Sequence, residues 1–326
     1  MRLLVTGGAG YIGGFVTRML CRQGHDVTVV DDLSAGHPAA VSDASMLAFD
    51  FGDRPRLGAL LRERDIEAVL HFAGLKSVEQ SWGQPRRYLD VNVARTISLL
   101  NAMDDGGVQT LIYSSSCAIY GNATRLPVDE NSEISPLNPY ARTKWLAEQA
   151  LQCAAEDGRL RYVALRYFNA AGAELDGSAG ETLSGAVNVI PMVMKAALGV
   201  LPHFRINGTD YETDDGTAVR DYVHVLDLAE AHLAALAYLR SGGESASINV
   251  GTGTGTSVRQ IVSETQRVSG RTIPVIESER RVGDPAAIWA GVGIAERTLD
   301  WRSRYGLDEI VRSAWEWHSR HPRGFD

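Results

Sequence analysis

The chain has 326 residues, 44% of them hydrophobic, enough for one large or two modest domains with a proper core. Thirty-two basic against forty acidic residues leave a net charge of −8 with no basic run, which argues against nucleic acid and anionic membranes as partners. Three cysteines, Cys21, Cys117 and Cys153, lack Cys-x-x-Cys spacing and suit neither a disulfide framework nor a zinc site, so no metal is expected and a reducing cytoplasm is the expected home.

The apolar stretch from Met1 to Thr6 is too short for a signal peptide or a membrane span. Leu3 to Thr6 instead reads as a first strand and Ile12–Arg22 as an amphipathic helix. Between them Gly8-Ala-Gly-Tyr-Ile-Gly13 matches G-x-G-x-x-G, and Gly7, Gly10 and Gly13 recur at intervals of three. With 33 glycines in the chain such a match arises by chance about 0.3 times, so its context decides. A strand before and a helix after put bare backbone at the positive end of the helix, where a pyrophosphate binds. Asp31 closes the next strand, Val27 to Asp31, where its carboxylate can accept both ribose hydroxyls of an adenosine. The same charge repels a 2′-phosphate, which predicts NAD over NADP.

Met46 to Phe49 and Ala68 to Phe72 read as strands flanking a helix at Arg54–Arg64, and a helix at Pro85–Met103 leads to a strand at Thr110 to Ser114. Ser116 follows that strand, at the carboxyl end where open α/β sheets bind ligands, and can donate or relay a proton. Cys117 beside it has no histidine partner nearby in sequence and reads as a small packing residue. Pro139 helps to start a helix at Tyr140–Ala155, in which Tyr140 and Lys144 share one face. A tyrosine acting as a base near neutrality needs its pKa lowered by about 3 units, roughly 4 kcal/mol of bias toward phenolate. The ammonium of Lys144 and the positive charge of a bound nicotinamide would supply that together. Lysine occurs only three times, at Lys76, Lys144 and Lys195, against 29 arginines, so a retained lysine marks a place where an ammonium is wanted.

A last regular strand is expected at Arg161 to Arg166. The alternation predicts an α/β fold, a Rossmann-type doubly wound parallel sheet. From Gly172 the pattern loosens into loops, although a helix at Val225–Leu239 and a strand at Ala246–Val250 are expected to return to the sheet. This predicts a dinucleotide-binding domain over residues 1–172 and a smaller lobe over most of residues 173–326.

The residues resemble a known family, the extended short-chain dehydrogenases and within them the UDP-glucose 4-epimerases. The likeness runs from Thr6-Gly-Gly-Ala-Gly-Tyr-Ile-Gly13 to Trp317-His-Ser-Arg-His-Pro-Arg-Gly324. Its most specific parts are His71-Phe-Ala-Gly-Leu-Lys-Ser-Val78, Arg166-Tyr-Phe-Asn169 with Ala171-Gly172, and the run from Gly208 through Arg220 to Ala229. The resemblance implies that Tyr140 takes the proton of the sugar 4-hydroxyl while hydride passes from C4 to tightly held NAD. The resulting 4-keto sugar turns over and takes the hydride back from NADH on its other face.

Ser116 is implied as a second proton-handling group, and Lys144 as the residue that tunes Tyr140 and holds the nicotinamide ribose. Lys76 is implied to reach the cofactor or the substrate. Tyr11 and Ile12 of the glycine motif, with Asp32, Asp50, Phe51, Phe72, Asn92 and Phe168, match cofactor-contacting places. Asn169, Asn188, Arg205, Asn207, Arg220, Arg281 and Asp284 match places that hold UDP. Two arginines also suit a diphosphate on chemical grounds, because guanidinium forks neutralise it. A homodimer through the helices near 85–103 and 140–155 is implied as well.

Three departures bear on specificity. Asn207 stands where the family often has an aromatic, which limits the uracil contact to backbone hydrogen bonds, and Val187 replaces one of two asparagines. Ile288 stands where a tyrosine leaves little room for a 2-acetamido group and a small residue admits it. Its intermediate size puts UDP-glucose and UDP-galactose first and leaves UDP-GlcNAc and UDP-GalNAc open. The rival readings are a dehydratase or decarboxylase of the same fold, a UDP-pentose 4-epimerase and a non-catalytic NAD sensor. The first needs acidic residues where Cys117 and Ala118 stand. The last would need none of Ser116, Tyr140 and Lys144.

Overall fold

The computed structural model describes residues 1–183, 185–281 and 283–325. In its first half strands and helices alternate: β1 (Arg2–Thr6), α1 (Tyr11–Arg22), β2 (Asp26–Asp31), β3 (Ser45–Ala48), α2 (Arg54–Glu63) and β4 (Ala68–His71). Then come α3 (Val78–Gly83), α4 (Pro85–Leu89), α5 (Arg95–Gly106), β5 (Thr110–Ser116), α6 (Pro139–Ala154), β6 (Arg161–Tyr167) and β7 (Asn169–Ala171). Shorter elements follow: α7 (Val189–Ala197), β8 (Phe204–Asn207), β9 (Val219–Arg220), β10 (Tyr222–His224), α8 (Val225–Arg240), β11 (Ala246–Val250) and β12 (Thr256–Ser257). The chain ends with α9 (Val258–Ser269), β13 (Val275–Ser278), β14 (Ala287–Ile288), α10 (Gly293–Leu299) and α11 (Leu307–Arg320).

Seven strands form one sheet in the order β11-β6-β5-β4-β1-β2-β3, every pair parallel. Period-two alternation assigns its two faces. Leu3 and Val5 of β1 pack with Val16 and Leu20 of α1 and Ala229 and Leu236 of α8, while Leu4 between them packs with Leu57, Leu99 and Leu151 of α2, α5 and α6. Both faces are therefore covered, as a parallel sheet requires. A second core joins α7, α9 and α11 to β8 and β10 through Met194, Phe204, Tyr222, Ile261 and Ile310.

The expected Pro85–Met103 helix is interrupted. A π-type turn over Asp90–Ala94 separates α4 from α5 and puts Asn92 in a buried position. The two-residue strands β9, β12 and β14 form a small sheet, too short to leave a periodic signal. Among the described residues no helix is long and apolar enough to cross a membrane.

Candidate active site

Strand order reverses beside β1: the chain steps outward to β2 and β3 and resumes at β4 on the other flank. The carboxyl ends of β1 and β4 then flank a crevice of the kind that binds nucleotides. Gly7 occupies the left-handed region at φ 73°, and a Cβ there would lie 2.4 Å from the backbone nitrogen of Ala73, just past β4. A Cβ on Gly13 would lie 2.3 Å from the Gly7 carbonyl oxygen. Gly10 caps α1 with no side-chain hydrogen bond, so the N–H groups of Tyr11 and Ile12 open the helix at its positive end. This cradle fits a dinucleotide pyrophosphate.

Asp31 ends β2 and is buried. Its carboxylate accepts the backbone N–H of Ala9 at 3.0 Å and of Leu33 at 2.8 Å. Burial pushes its pKa up while those two bonds pull it down. Each oxygen keeps a second acceptor site for a ribose hydroxyl. The Asp32 carboxylate is exposed and accepts the Ser34 N–H and hydroxyl, and Asp50 accepts the Gly52 N–H and pairs with Arg95.

Phe51 is buried against His71, and Phe72 packs on His232. Asn92 is 2% exposed and spends its amide on the chain: it donates to the Leu75 carbonyl and to Thr143 and accepts the Leu75 N–H. It thus fastens the turn after β4 to α6. Lys76, 68% exposed, pairs with Glu181 of the second lobe at 3.3 Å. The Tyr11 hydroxyl donates to the Gly172 carbonyl at 2.6 Å and ties the start of α1 to the end of β7.

At the end of β5 three groups converge. Pro139 and the Asn138 cap, which accepts the Ala141 N–H at 2.9 Å, start α6 so that Tyr140 and Lys144 face the sheet. The Lys144 ammonium donates to the Ser114 carbonyl at 2.7 Å and lies 5.0 Å from the Tyr113 ring. Burial lowers it to about 8. Burial raises the Tyr140 phenol to about 12, against a hydrogen bond from Ser116 that favours the phenolate. The Ser116 oxygen accepts the Ala118 N–H at 3.2 Å, which leaves its proton for Tyr140. The phenolate is therefore disfavoured on its own and needs neighbouring positive charge to appear, whereas the ammonium, weakened by burial, still predominates near neutrality.

The second lobe brings some of the remaining residues together. Arg220 pairs with Asp284 at 2.8 Å, and Ile288 lies opposite Arg220 in the β14–β9 register. Ile288 packs with Phe168, Ile119 and Tyr120, and Cys117 lies against the same cluster. Asn169 opens β7 and donates its N–H to the Asp221 carbonyl at 2.9 Å. Arg205 and Asn207 belong to the separate β8–β13 pair, where the Asn207 side chain accepts the Ser278 hydroxyl. Asn188 is exposed at the start of α7, and Arg281 is exposed in the loop after β13. Among the described residues no His, Cys, Asp and Glu cluster could hold a metal.

Two residues escaped the sequence reading. Asp221 is fully buried and accepts the N–H groups of Thr252, Gly253 and Ala290 together with the Thr252 hydroxyl, fixing the backbone next to Arg220. Glu148 is buried one turn beyond Lys144 and is paired with Arg166. The only sequence signal for it was the four-residue spacing from Lys144, which an exposed helix face shows equally often.

A parallel doubly wound sheet with a glycine cradle at its switch point and a half-buried tyrosine and buried lysine one helical turn apart defines an extended short-chain dehydrogenase. Residues 3–251 match the NAD dependent epimerase/dehydratase family. The chain is similar to a UDP-glucose 4-epimerase of Rhizobium meliloti, 44% identical over 99% of this chain and 98% of that one. It is also similar to two crystal structures of UDP-glucose 4-epimerases. That from Stenotrophomonas maltophila, with bound NAD and formylated UDP-arabinopyranose, is 41% identical with a TM-score of 0.96 over 99% of both chains. That from Bifidobacterium longum, in complex with NAD+ and UDP, is 35% identical with a TM-score of 0.94 over 100% of both. The chain belongs to the NAD dependent epimerase/dehydratase family.

Proposed function

We propose that the protein is an isomerase that interconverts UDP-glucose and UDP-galactose by inverting the sugar C4 centre. The observation that carries this reading is the grouping of half-buried Tyr140 and Ser116 with buried Lys144 at the end of β5, with Cys117 and Ala118 where a dehydratase or decarboxylase would carry acids. Burial pushes the Cys117 thiol up to about 12, so it offers no substitute acid near neutrality. Full-length likeness to UDP-glucose 4-epimerases supports the same reading.

The glycine cradle and Asp31 would hold NAD, with Asp32, Asp50, Phe51, Phe72, Lys76, Asn92 and Phe168 around it. Bound there, NAD supplies a two-electron acceptor that takes hydride from C4 and returns it. Tyr140 as phenolate accepts the 4-hydroxyl proton, with Ser116 relaying it. Lys144 stabilises the phenolate by its charge. Arg220 and Arg281 would neutralise the diphosphate, and Asn169, Asn188, Arg205, Asn207 and Asp284 would seat the UDP end while the sugar turns. Tyr140 then returns its proton to the oxygen of the 4-keto group, which gives the inverted 4-hydroxyl. Ile288 lies where its bulk limits the sugar's 2-substituent.

Residues 1–172 form the dinucleotide-binding part in this reading, joined by 225–250, and the rest mainly takes the UDP sugar. A cytoplasmic homodimer is part of the same proposal. Val78, Trp82, Leu89, Ile97 and Leu146 are exposed along α3 to α6, which would supply its apolar contact. Isotope tracing tests the chemistry: UDP-galactose deuterated at C4 should give UDP-glucose that retains the label in ordinary water. Exchange of that label with solvent would exclude direct return of hydride. A UDP-pentose substrate is the second reading, favoured by the UDP-arabinopyranose derivative bound to the Stenotrophomonas relative.

A further inference from the structure

Glu148 is 3% exposed, and the reaction as described does not use it. Its carboxylate centres a buried polar network. Arg166 Nε donates to both of its oxygens at 3.1 Å and Nη2 to Oε2 at 2.6 Å. The Ser115 hydroxyl donates to Oε1, and the Ser247 hydroxyl, from the neighbouring strand β11, donates to Oε2 at 3.1 Å. Arg166 Nη1 continues to the Tyr120 hydroxyl at 3.0 Å, which donates to Asn249 at 2.7 Å. A buried ion pair is weak evidence for stability, because desolvating two charges offsets most of their attraction.

The position of Ser115 points to another use. It lies between Ser114, whose carbonyl accepts the Lys144 ammonium at 2.7 Å, and Ser116, whose hydroxyl serves Tyr140. Resting on the 4-epimerase reading, we propose that Glu148 is a positioning residue for the reaction. Held by Arg166, it clamps the Ser114-Ser115-Ser116 strand end to α6 and keeps a negative charge one turn from Lys144, so that the ammonium stays charged beside Tyr140.

The other groups facing Lys144 cannot supply that charge. His71 of β4 is neutral, since burial and Lys144 itself hold its pKa down to about 3. Tyr113 of β5 and Tyr167 of β6 are buried and raised, and the half-buried Tyr140 on α6 is raised too. Arg166 carries the opposite sign, and Tyr120 and Tyr162, which face the Arg166–Glu148 pair, are raised too. Glu148 is the anion that acts on Lys144, raising its pKa against burial.

The three-lysine composition makes a direct test practical. Lysine labelled with 13C at Cε, in the purified protein with NAD added, gives three side-chain signals, and K144M identifies that of Lys144. In E148Q the Lys144 midpoint should fall by about one pH unit or more, the scale of a nearby charge. The alkaline limb of kcat should move down with it, while KM for UDP-galactose stays within about twofold. E148D, which keeps the charge, should recover most of the shift. If E148Q does not fold, E148M/R166M fills the same space with apolar side chains and carries the same expectation for Lys144. An unchanged Lys144 midpoint in a folded charge-removing variant overturns the proposal. A shifted midpoint in a protein whose wild type does not epimerise UDP-galactose would support the Glu148–Lys144 coupling and reject the reaction reading, so the two failures are told apart.

Discussion

Tyr140 and Lys144 stand one turn apart on α6, and burial moves their protons in opposite directions, the phenol up to about 12 and the ammonium down to about 8. Each opposes its own charged form, so phenolate forms only where the ammonium, the Ser116 hydrogen bond and the charge of a bound nicotinamide act together. Replacing Tyr140 with phenylalanine keeps the ring and removes the proton carrier. Y140F should lose about 10²- to 10⁴-fold in kcat with little change in KM, and steady-state assays with UDP-galactose check this. Its melting temperature should stay near that of the wild type.

Gly13 is the glycine with least room in the cradle: a Cβ would stand 2.3 Å from the Gly7 carbonyl oxygen and 2.9 Å from the Gly8 Cα. Both obstacles are backbone, so the loop itself must move. G13A should be purified with far less bound NAD than the wild type, measured by chromatography of the denatured protein. Its activity should depend on added NAD.

Ile288 is 4% exposed and packs with Phe168 and Ile119 beside Cys117. I288A should cost about 2–5 kcal/mol of stability through the cavity it leaves. The same space should raise kcat/KM for UDP-GalNAc relative to UDP-galactose by roughly tenfold, the scale of a modest change in pocket fit. I288Y should move the ratio the other way.

Four histidines are buried in neutral form, with His71 lowered to about 3 and His224, His232 and His318 each to about 4. Folded pKa values below the unfolded value of about 6.5 mean that the unfolded chain takes up more protons on acidification. Stability should therefore be full above about pH 6.5 and fall steadily toward pH 4. Urea midpoints at several pH values check the slope, and H232Q should flatten it, since it removes one of the four groups that the unfolded chain protonates first.

What could be read beforehand followed local physics. The cradle was legible because three glycines between a strand and a helix have few other uses, and the Tyr140–Lys144 pair because i and i+4 share a helix face. The six early strands fell within about two residues of their expected ends, since apolar runs mark buried parallel strands. The break at Asp90–Ala94 was not legible, because the residues around it keep a helical pattern while Asn92 turns inward to hold Leu75. Glu148 and Asp221 were missed for a common reason. A carboxylate is an exposed residue by default, and only long-range partners such as Arg166 and the Thr252–Gly253 backbone make it a buried one.

The most direct measurement is to incubate the purified protein with UDP-galactose, with no NAD added, and follow the sugar signals by NMR. UDP-glucose should appear and reach a stable ratio with no keto sugar accumulating, because hydride and proton return to the same molecule. No conversion even after NAD is added, or a product that has lost water or carbon dioxide, would rule out 4-epimerisation.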